Sequence, residues 1–408
     1  MQAIAIPHQQ AKSAERGVPR GNLSDLYPRW LGARELLLHH RDPYGSDITR
    51  EIQIGYYGRP LDPTRPNDPT DQQAFAYPVY VVLMLAPTVT MPFSAVHRLF
   101  FWFLAIVTAV SVPLWLRVLR WHASNSSLAA WILLTLGCFP ALQGLRLQQL
   151  TVLVVAFIAG SMTALARRKF ALAGILLALA TIKPQLVFLL ILWLVIWVLG
   201  DRRARQRVLW GFALSMTVLV ASAEFLLPGW ITEFRRALKE YYRYTGGGNS
   251  VLDVVLAPIP GKVASALLVV LLLIFVWKNR RATEQTPAFQ WSLCFTLATT
   301  FLVIPMFAPY NQLLLLPGFM MALRASRQLW KNSLLPRFFW FITAFLVSFP
   351  FAAAACLVIA LAFLPAVTVQ KAWGLPFYPS FAIPIIMYAL LLVSRDVLSK
   401  PTDHAESA

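Results

Sequence analysis

Charge is what this sequence has least of. Asp, Glu, Lys and Arg make up 13% of its 408 residues, and only 18 of these are acidic against 36 basic. Soluble domains carry roughly a quarter charged residues, so an ordinary soluble fold is excluded. Cysteine is scarce too. Cys138, Cys294 and Cys356 lie scattered in apolar segments, which excludes a disulfide framework and leaves core packing. The six histidines (His8, His39, His40, His97, His122 and His404) show no metal-ligand spacing; His39 and His40 are adjacent, and neighbours on a helix do not face one ligand. No Ser-His-Asp set can be assembled. Gly246-Gly247-Gly248 lacks the spacing and the following Lys-Ser/Thr of a phosphate loop, so it signals only flexibility or close backbone approach. Neither a metal nor a cofactor is expected.

Apolar length is what the chain has instead: 58% of it is hydrophobic. The formal charge of +18 is carried in short clusters between apolar runs, as orientation in a membrane requires. No soluble stretch is long enough for the contiguous basic face of a nucleic-acid binder, so nucleic acid is not an expected partner. The fold class is all-α, a polytopic helical membrane protein of about 10–12 membrane segments of the length a bilayer demands. Segments are expected at 97–119, 126–144, 148–166, 207–227, 263–277, 288–308, 310–323, 338–364 and 377–394. The run 75–92, broken by Pro78, Pro87 and Pro92, reads as a half-helix or re-entrant piece. The run 170–199 is too long for one span; Lys183-Pro184 makes it either a kinked helix or two short ones. Basic clusters at 117–120, 167–169, 202–207, 278–281, 324–331 and 395–400 should face the cytoplasm. That places 145–149, the Lys183 region, 228–262, 309–311 and 365–376 on the other side and favours two short helices meeting near Lys183.

Four regions follow. Residues 1–22 read as a flexible polar tail, 23–74 as an extracytoplasmic surface helix and loop, 75–394 as the transmembrane domain, and 395–408 as a polar tail. In the second region, Leu26, Trp30, Ala33 and Leu37 recur at helical spacing in a segment too polar to span, which suits a helix lying on a membrane surface. Residues 42–74, rich in Pro, Asp, Gly and Tyr, carry turn chemistry.

Polar residues gathered before and between such runs need a reason to be there. Asp25 is the candidate base. The bland reading of Asp25 is a helix N-cap or an i,i+4 pair with Arg29. Lys183 interrupts an apolar run and precedes Pro184 and Gln185. A cation at that depth usually lines a cavity, and the proline frees a carbonyl that needs a partner; the bland reading is a lysine snorkelling to the interface. Gln143, Arg146, Gln148 and Gln149 cluster at the end of one span, and Tyr310-Asn311-Gln312 interrupts another. The aromatic and basic stretch from Phe234 to Tyr244 suits the headgroup layer. Cations and a carboxylate around one cavity suit a phosphate-bearing, membrane-dissolved donor: the cations would hold the leaving phosphate and the carboxylate would take an acceptor's proton.

In order, Ser24-Asp25-Leu26-Tyr27, Ala33-Arg34-Glu35-Leu36-Leu37 and Asp42-Pro43-Tyr44 resemble the first outer loop of glycosyltransferase family 87. Phe75-Ala76-Tyr77-Pro78 with Leu85-Ala86-Pro87, the stretch from Ala173-Gly174 to Lys183-Pro184, and Gly248-Asn249-Ser250 resemble later parts of that family, over residues 24–325 in all. The resemblance implies a GT-C architecture and inverting transfer of a sugar, commonly mannose, from a polyprenyl-phosphate donor to a lipid or glycan acceptor. Transfer would occur on the extracytoplasmic face of a multi-pass protein, expected in a bacterial inner membrane among membrane lipids. It assigns Asp25 as base, Asp42 as the second choice, and Lys183 to phosphate or cavity lining. The residues expected to bind substrate are Arg29, Tyr44, Tyr77, Arg146, Gln148, Lys183, Gln185, Asn249, Tyr310, Asn311 and Gln312.

Two departures qualify this. Relatives have a spanning helix before the acid, where this chain has 24 mostly polar residues, which leaves a truncated, inactive relative as one alternative. Relatives also carry His in a Tyr-x-His-like pattern where Tyr310-Asn311-Gln312 stands, and an amide does not shuttle protons at neutral pH. A membrane transporter or lipid flippase is the other alternative. Its mark would be paired broken helices in internal repeats, and the Lys183-Pro184 break has no counterpart.

Overall fold

The computed structural model describes residues 4–15, 24–62, 64–66, 68–244, 248–305 and 307–400. The chain is 77% helix, with no strand among the described residues. Its N-terminal part runs through α1 (Ala5–Glu15), α2 (Leu26–His39), α3 (Ser46–Tyr57) and the short α4 (Val81–Leu85) before the long α5 (Phe93–Val118). Next come α6 (Asn125–Gly137), α7 (Phe139–Arg146), α8 (Thr151–Ala166), α9 (Phe170–Ala180), α10 (Pro184–Leu199), α11 (Arg202–Arg205) and α12 (Arg207–Leu226). The second half holds α13 (Trp230–Tyr244), α14 (Val251–Leu256), α15 (Pro258–Asn279), α16 (Pro287–Val303), α17 (Leu316–Arg324) and α18 (Ser326–Lys331). It ends with α19 (Leu334–Ala360), α20 (Ala366–Lys371), α21 (Ala382–Val393) and α22 (Arg395–Leu398).

Among the described residues, five helical stretches are long and apolar enough to cross a membrane: α5, α12, α15, α19 and the run Ala366–Val393. The pair α6 and α7, bent by 59° at Cys138, makes a sixth if it counts as one span. Four shorter apolar helices, α8, α9, α10 and α16, cover the segments expected at 148–166, 170–199 and 288–308, whereas the segment expected at 310–323 is a 3-10 turn, Pro309–Leu315, followed by the nine-residue α17, too short to cross. Length and burial go together here. Every residue of α16 from Phe289 to Leu302 is buried, whereas α12, α15 and α19 expose Phe225, Ile259 and Leu334, each more than 75% accessible. Apolar side chains on a spanning helix face lipid at no cost, so the long helices form the outer layer and the short ones the core. Trp193 and Trp197 stack in that core beside Phe289. Where α9 crosses α12, Gly174 and Gly211 let the backbones meet: a Cβ on Gly174 would lie 2.1 Å from Val208 O. Small residues permit such close crossings in membranes.

Several expectations change at the polar cap. The N-terminal stretch read as a flexible tail contains α1, with Ile4 buried against Leu357 and Val369 and His8 beside the Trp373 ring; its residues 1–3 and 16–22 lie outside the described residues, as do 401–408 of the C-terminal tail and Gly246-Gly247. Leu26, Trp30, Ala33 and Leu36 of α2 are buried in the protein's own core, so this helix packs into the protein rather than resting on a surface. The region read as turns contains α3. Ile48, Ile52 and Tyr56 are all buried, four residues apart on one face, a helical period masked by the prolines and glycines around it. The run 75–92 contains only α4 and a 3-10 turn, Ala86–Thr88, too short to cross. The run 170–199 is two helices, α9 and α10, broken at Lys183.

Candidate active site

Three helix starts converge on one cavity: α2 at Asp25, α8 at Thr151 and α10 at Lys183. Each is fixed by local sequence. Pro184 has no N–H to offer and excludes helical geometry from the residue before it; Lys183 accordingly sits at φ −124°, ψ 82°, and Pro184 opens α10. The carbonyl released by the break, Thr181 O, accepts from the Tyr80 hydroxyl at 2.9 Å, which meets the demand for a polar partner. The turn from α7 to α8 places Gln148 in left-handed conformation, φ 51°, and Gln149 N donates to Gly144 O at 2.8 Å, closing α7 with a C-cap.

The two adjacent glutamines of that turn do different jobs. Gln148 is fully buried; its amide accepts from the Ser24 hydroxyl and donates to His97 O. With the bond from Asp25 N to Leu147 O at 3.1 Å, it docks the start of α2 onto the turn. Gln149, 1% accessible, reaches into the site. Its Nε2 donates to Asp25 Oδ2, and its Oε1 accepts from Lys183 Nζ at 2.8 Å. Lys183 Nζ also donates to the Thr151 hydroxyl at 2.8 Å, which in turn donates to Asn311 Oδ1 at 2.9 Å. One amide thus joins a carboxylate to an ammonium.

This geometry decides between the readings of both residues. Asp25 occupies the N-cap position of α2, yet its side chain caps nothing, and Arg29 donates to the backbone carbonyl of Asp25 rather than to its carboxylate. Among the described residues, Asp25 Oδ1 has no hydrogen-bond donor. Lys183 is 6% accessible and bonded inward, so it does not snorkel.

The cavity, about 170 Å³ in volume, is bounded by Asp25, Arg29, Tyr77, Gln149, Lys183, Gln185, Tyr310 and Asn311. At roughly 10–15 Å³ per water by this measure, it holds on the order of ten waters. The Arg29 guanidinium lies 4.4 Å from the Tyr77 ring centre, and Lys183 Nζ lies 5.0 Å from that of Tyr310. Two cations, three helix N-termini and the Asp25 carboxylate therefore meet in one polar chamber.

Six expected residues lie elsewhere. Asp42 accepts from Tyr44 N at 2.9 Å, an Asx turn, and does not line the cavity. Tyr44 supports the site from behind, its hydroxyl donating to Tyr77 O at 2.5 Å. Arg146 reaches back to Gln9 of α1 at 2.8 Å. Asn249 is exposed, and its neighbour Ser250 forms a capping box with Asp253 on α14. Gln312 donates to Ser380 O at 2.7 Å. Gln148, as described, acts behind the wall.

The structure also adds residues. Asp71 is a second carboxylate on the cavity; its oxygens accept from Gln73 N at 3.1 Å and Gln73 Nε2 at 2.9 Å. Phe234, Leu238, Tyr241, Tyr242 and Tyr244 of α13 form a wall, so the stretch assigned to headgroups faces the site with one side. Burial pushes the Tyr241 phenol above its ordinary value, with neighbouring Tyr77 and Asp71 adding to the shift, which keeps it a neutral donor. A helical period of 4 and 3 in Phe234, Leu238 and Tyr241 was available in the sequence; Asp71 carried no signal beyond its place in a loop.

The family model of glycosyltransferase family 87 matches residues 75–305, a span that includes Tyr77, Gln149, Lys183 and α13 but begins after Asp25 and ends before Tyr310. Curated proteins and solved structures give no match.

Proposed function

We propose a reaction for this chain from one premise: it belongs to glycosyltransferase family 87 and is a membrane glycosyltransferase with a sugar donor and an acceptor. The donor in this reading is a polyprenyl-phosphate sugar, mannose or another hexose or pentose. The acceptor hydroxyl attacks the anomeric carbon, forming the new C–O bond, while the bond from that carbon to the phosphate oxygen breaks and its electron pair leaves with the phosphate. Asp25 takes the acceptor's proton on Oδ1, and the configuration inverts. Lys183 and Arg29 face the charge that grows on the departing phosphate. The N-termini of α8 and α10 add their partial positive charge to the same place.

The observation that carries this is the Asp25–Gln149–Lys183 link. It holds the base and the phosphate cation a fixed distance apart, with Oδ2 occupied and Oδ1 left for a proton. An extracytoplasmic site is supported by the opposite end of α10. There Arg202, Arg203, Arg205 and Arg207 cluster near Lys278, Arg280 and Arg281, the charge pattern of a cytoplasmic face.

The test is transfer from radiolabelled polyprenyl-phosphate sugars in membranes containing the protein or its Asp25→Asn variant. Loss of a general base costs about 10²–10⁴-fold, and that drop is the expected result. Equal incorporation by both proteins removes Asp25 as the base, and no incorporation from any polyprenyl-phosphate sugar by the wild type removes the donor class.

A further inference from the structure

Outside the reaction cavity the cap carries a second concavity, a solvent-open groove of about 620 Å³ between α3, the segment 71–74 and α13. Thr49, Arg50, Gln53, Gln72, Arg236 and Glu240 line it, with Tyr44 at its base. Two of its walls are also walls of the cavity. Segment 71–74, turned at Gln73 with φ 52°, presents Asp71, Gln73 and Ala74 to the cavity and Gln72 to the groove. Helix α13 presents Phe234, Leu238 and Tyr241 to the cavity and Arg236 and Glu240 to the groove. One layer of residues separates the two spaces.

The groove is held in shape by bonds that do not depend on a ligand. Gln53 Nε2 donates to Gln72 O at 3.1 Å, and Gln53 Oε1 accepts from Leu61 N at 3.0 Å. The Tyr57 hydroxyl donates to Asp71 O at 2.6 Å. Arg41 ties α3 to α2 through Glu51 at 2.6 Å, Asp47 at 2.8 Å and Glu35 at 2.8 Å. Pre-formed walls lower the ordering cost of binding.

The chemistry of the lining selects an occupant. Arg50, Arg236 and Glu240 bring both signs of charge, Arg236 also pairing with Glu233, and Thr49 and Gln72 bring neutral donors and acceptors. A lipid chain finds little apolar surface there, and an anionic headgroup meets Glu240. The contrast lies on the same helix: Arg235, Lys239 and Arg243 make a purely basic row around a separate groove, of the kind that meets anionic lipid. We infer that the groove between α3 and α13 binds the acceptor, and that the acceptor is a neutral, hydroxyl-rich glycan entering from the aqueous side. Its terminal sugar is delivered over Gln72 toward Asp25. This inference rests on the transferase reading above and names the acceptor class for it.

Arg50, Gln72 and Glu240 are exposed, so changing them spares the core. The first readout needs no turnover: saturation-transfer NMR on the purified full chain in nanodiscs, with mannotriose and maltotriose as probes. Wild type should bind at least one of them, and Arg50→Ala with Glu240→Ala should weaken that binding about tenfold or more, the scale of hydrogen bonds to charged groups. Silence from wild type with both probes, or an undiminished signal in the double variant, overturns the proposal. The second readout is the ratio of sugar transferred to membrane acceptors to sugar released into water from the same donor. That ratio should fall about tenfold in the double variant, and an unchanged ratio overturns the acceptor role. The Asp25→Asn result stands apart from both, because Asp25 does not line the groove; its failure would remove the base and leave the glycan site to the NMR result.

Discussion

The two ends of α10 each hold a buried cation, and they are held in opposite ways. At the C-terminal end Arg205, 5% accessible, donates to Trp197 O at 2.8 Å, Arg280 O at 2.8 Å and Ala282 O at 3.1 Å and stacks 4.0 Å from the Trp197 ring. Its neighbours are backbone carbonyls at the negative end of a helix dipole, where a cation is stabilised. At the N-terminal end Lys183 faces the positive pole of the same dipole, where a cation is opposed by a comparable amount. Its neighbours are side chains, Gln149 and Thr151, and the chain of bonds leads to a carboxylate. Helix stability explains Arg205 completely. It does not explain Lys183, and that mismatch is the physical argument that Lys183 is kept for chemistry.

The contrast breaks most sharply on substitution. Lys183→Met should lower transfer by about 10²–10³-fold, the cost of removing a group aimed at transition-state charge, while the heat stability of the purified protein stays near wild type. Arg205→Ala should do the reverse. It removes three bonds from a charged donor, each worth about 1.5–3 kcal/mol; Trp197 O and Ala282 O keep Gly200 N and Trp197 Nε1 as donors, but the protein should still melt earlier while the folded fraction transfers sugar at the normal rate. Parallel losses of activity and stability in both variants would erase the distinction between the two ends.

A finer probe is Gln149→Leu. It cuts the link between Asp25 and Lys183 and leaves both charges in place. A displacement of the base by a fraction of an ångström should cost on the order of tenfold in transfer, and because Gln149 binds no substrate in the proposed reaction, the loss should fall on kcat rather than on the donor KM. The corresponding change at the turn, Gln148→Leu, should instead lower stability, since Gln148 holds Ser24 and the His97 carbonyl.

What the sequence made legible follows from how local each signal is. The membrane class, the apolar segments and the break at Lys183-Pro184 rest on composition and on proline's missing N–H, which act within a few residues. Asp25 and Lys183 stood out because polar groups beside apolar runs are costly. Their connection was hidden: Gln148 and Gln149 are chemically identical, and only the left-handed turn at Gln148 decides which of them faces the cavity. Asp42 and Asn249 looked like site residues because turns and active-site loops use the same side chains, and here the turn and the α14 cap account for that region. Helix α3 was obscured by flanking prolines. The period of Phe234, Leu238 and Tyr241 marked one face of α13, but its meeting with Asp71 is a contact across more than 150 residues of chain, which no local pattern records.

Alkaline pH gives the smallest effect and one confined to the cavity end. Burial pushes the phenols of Tyr241 and Tyr44 above their ordinary value, with the nearby Asp42 charge adding to the shift at Tyr44. The fold therefore favours their protonated forms. Below the unfolded value near 10 both states carry the proton and the contribution to stability is fully present. As pH rises past that value the unfolded chain loses protons that the fold retains, and stability falls. The melting temperature should hold level from about pH 7 to 9 and decline above about pH 10, less steeply in Tyr44→Phe with Tyr241→Phe. Within the level range Tyr241→Phe should reduce transfer by the same modest factor at every pH, because the lost group is a neutral donor throughout. A factor that changes across that range would mean the phenol ionises in the folded protein, and the cavity would then be far wetter than its walls imply.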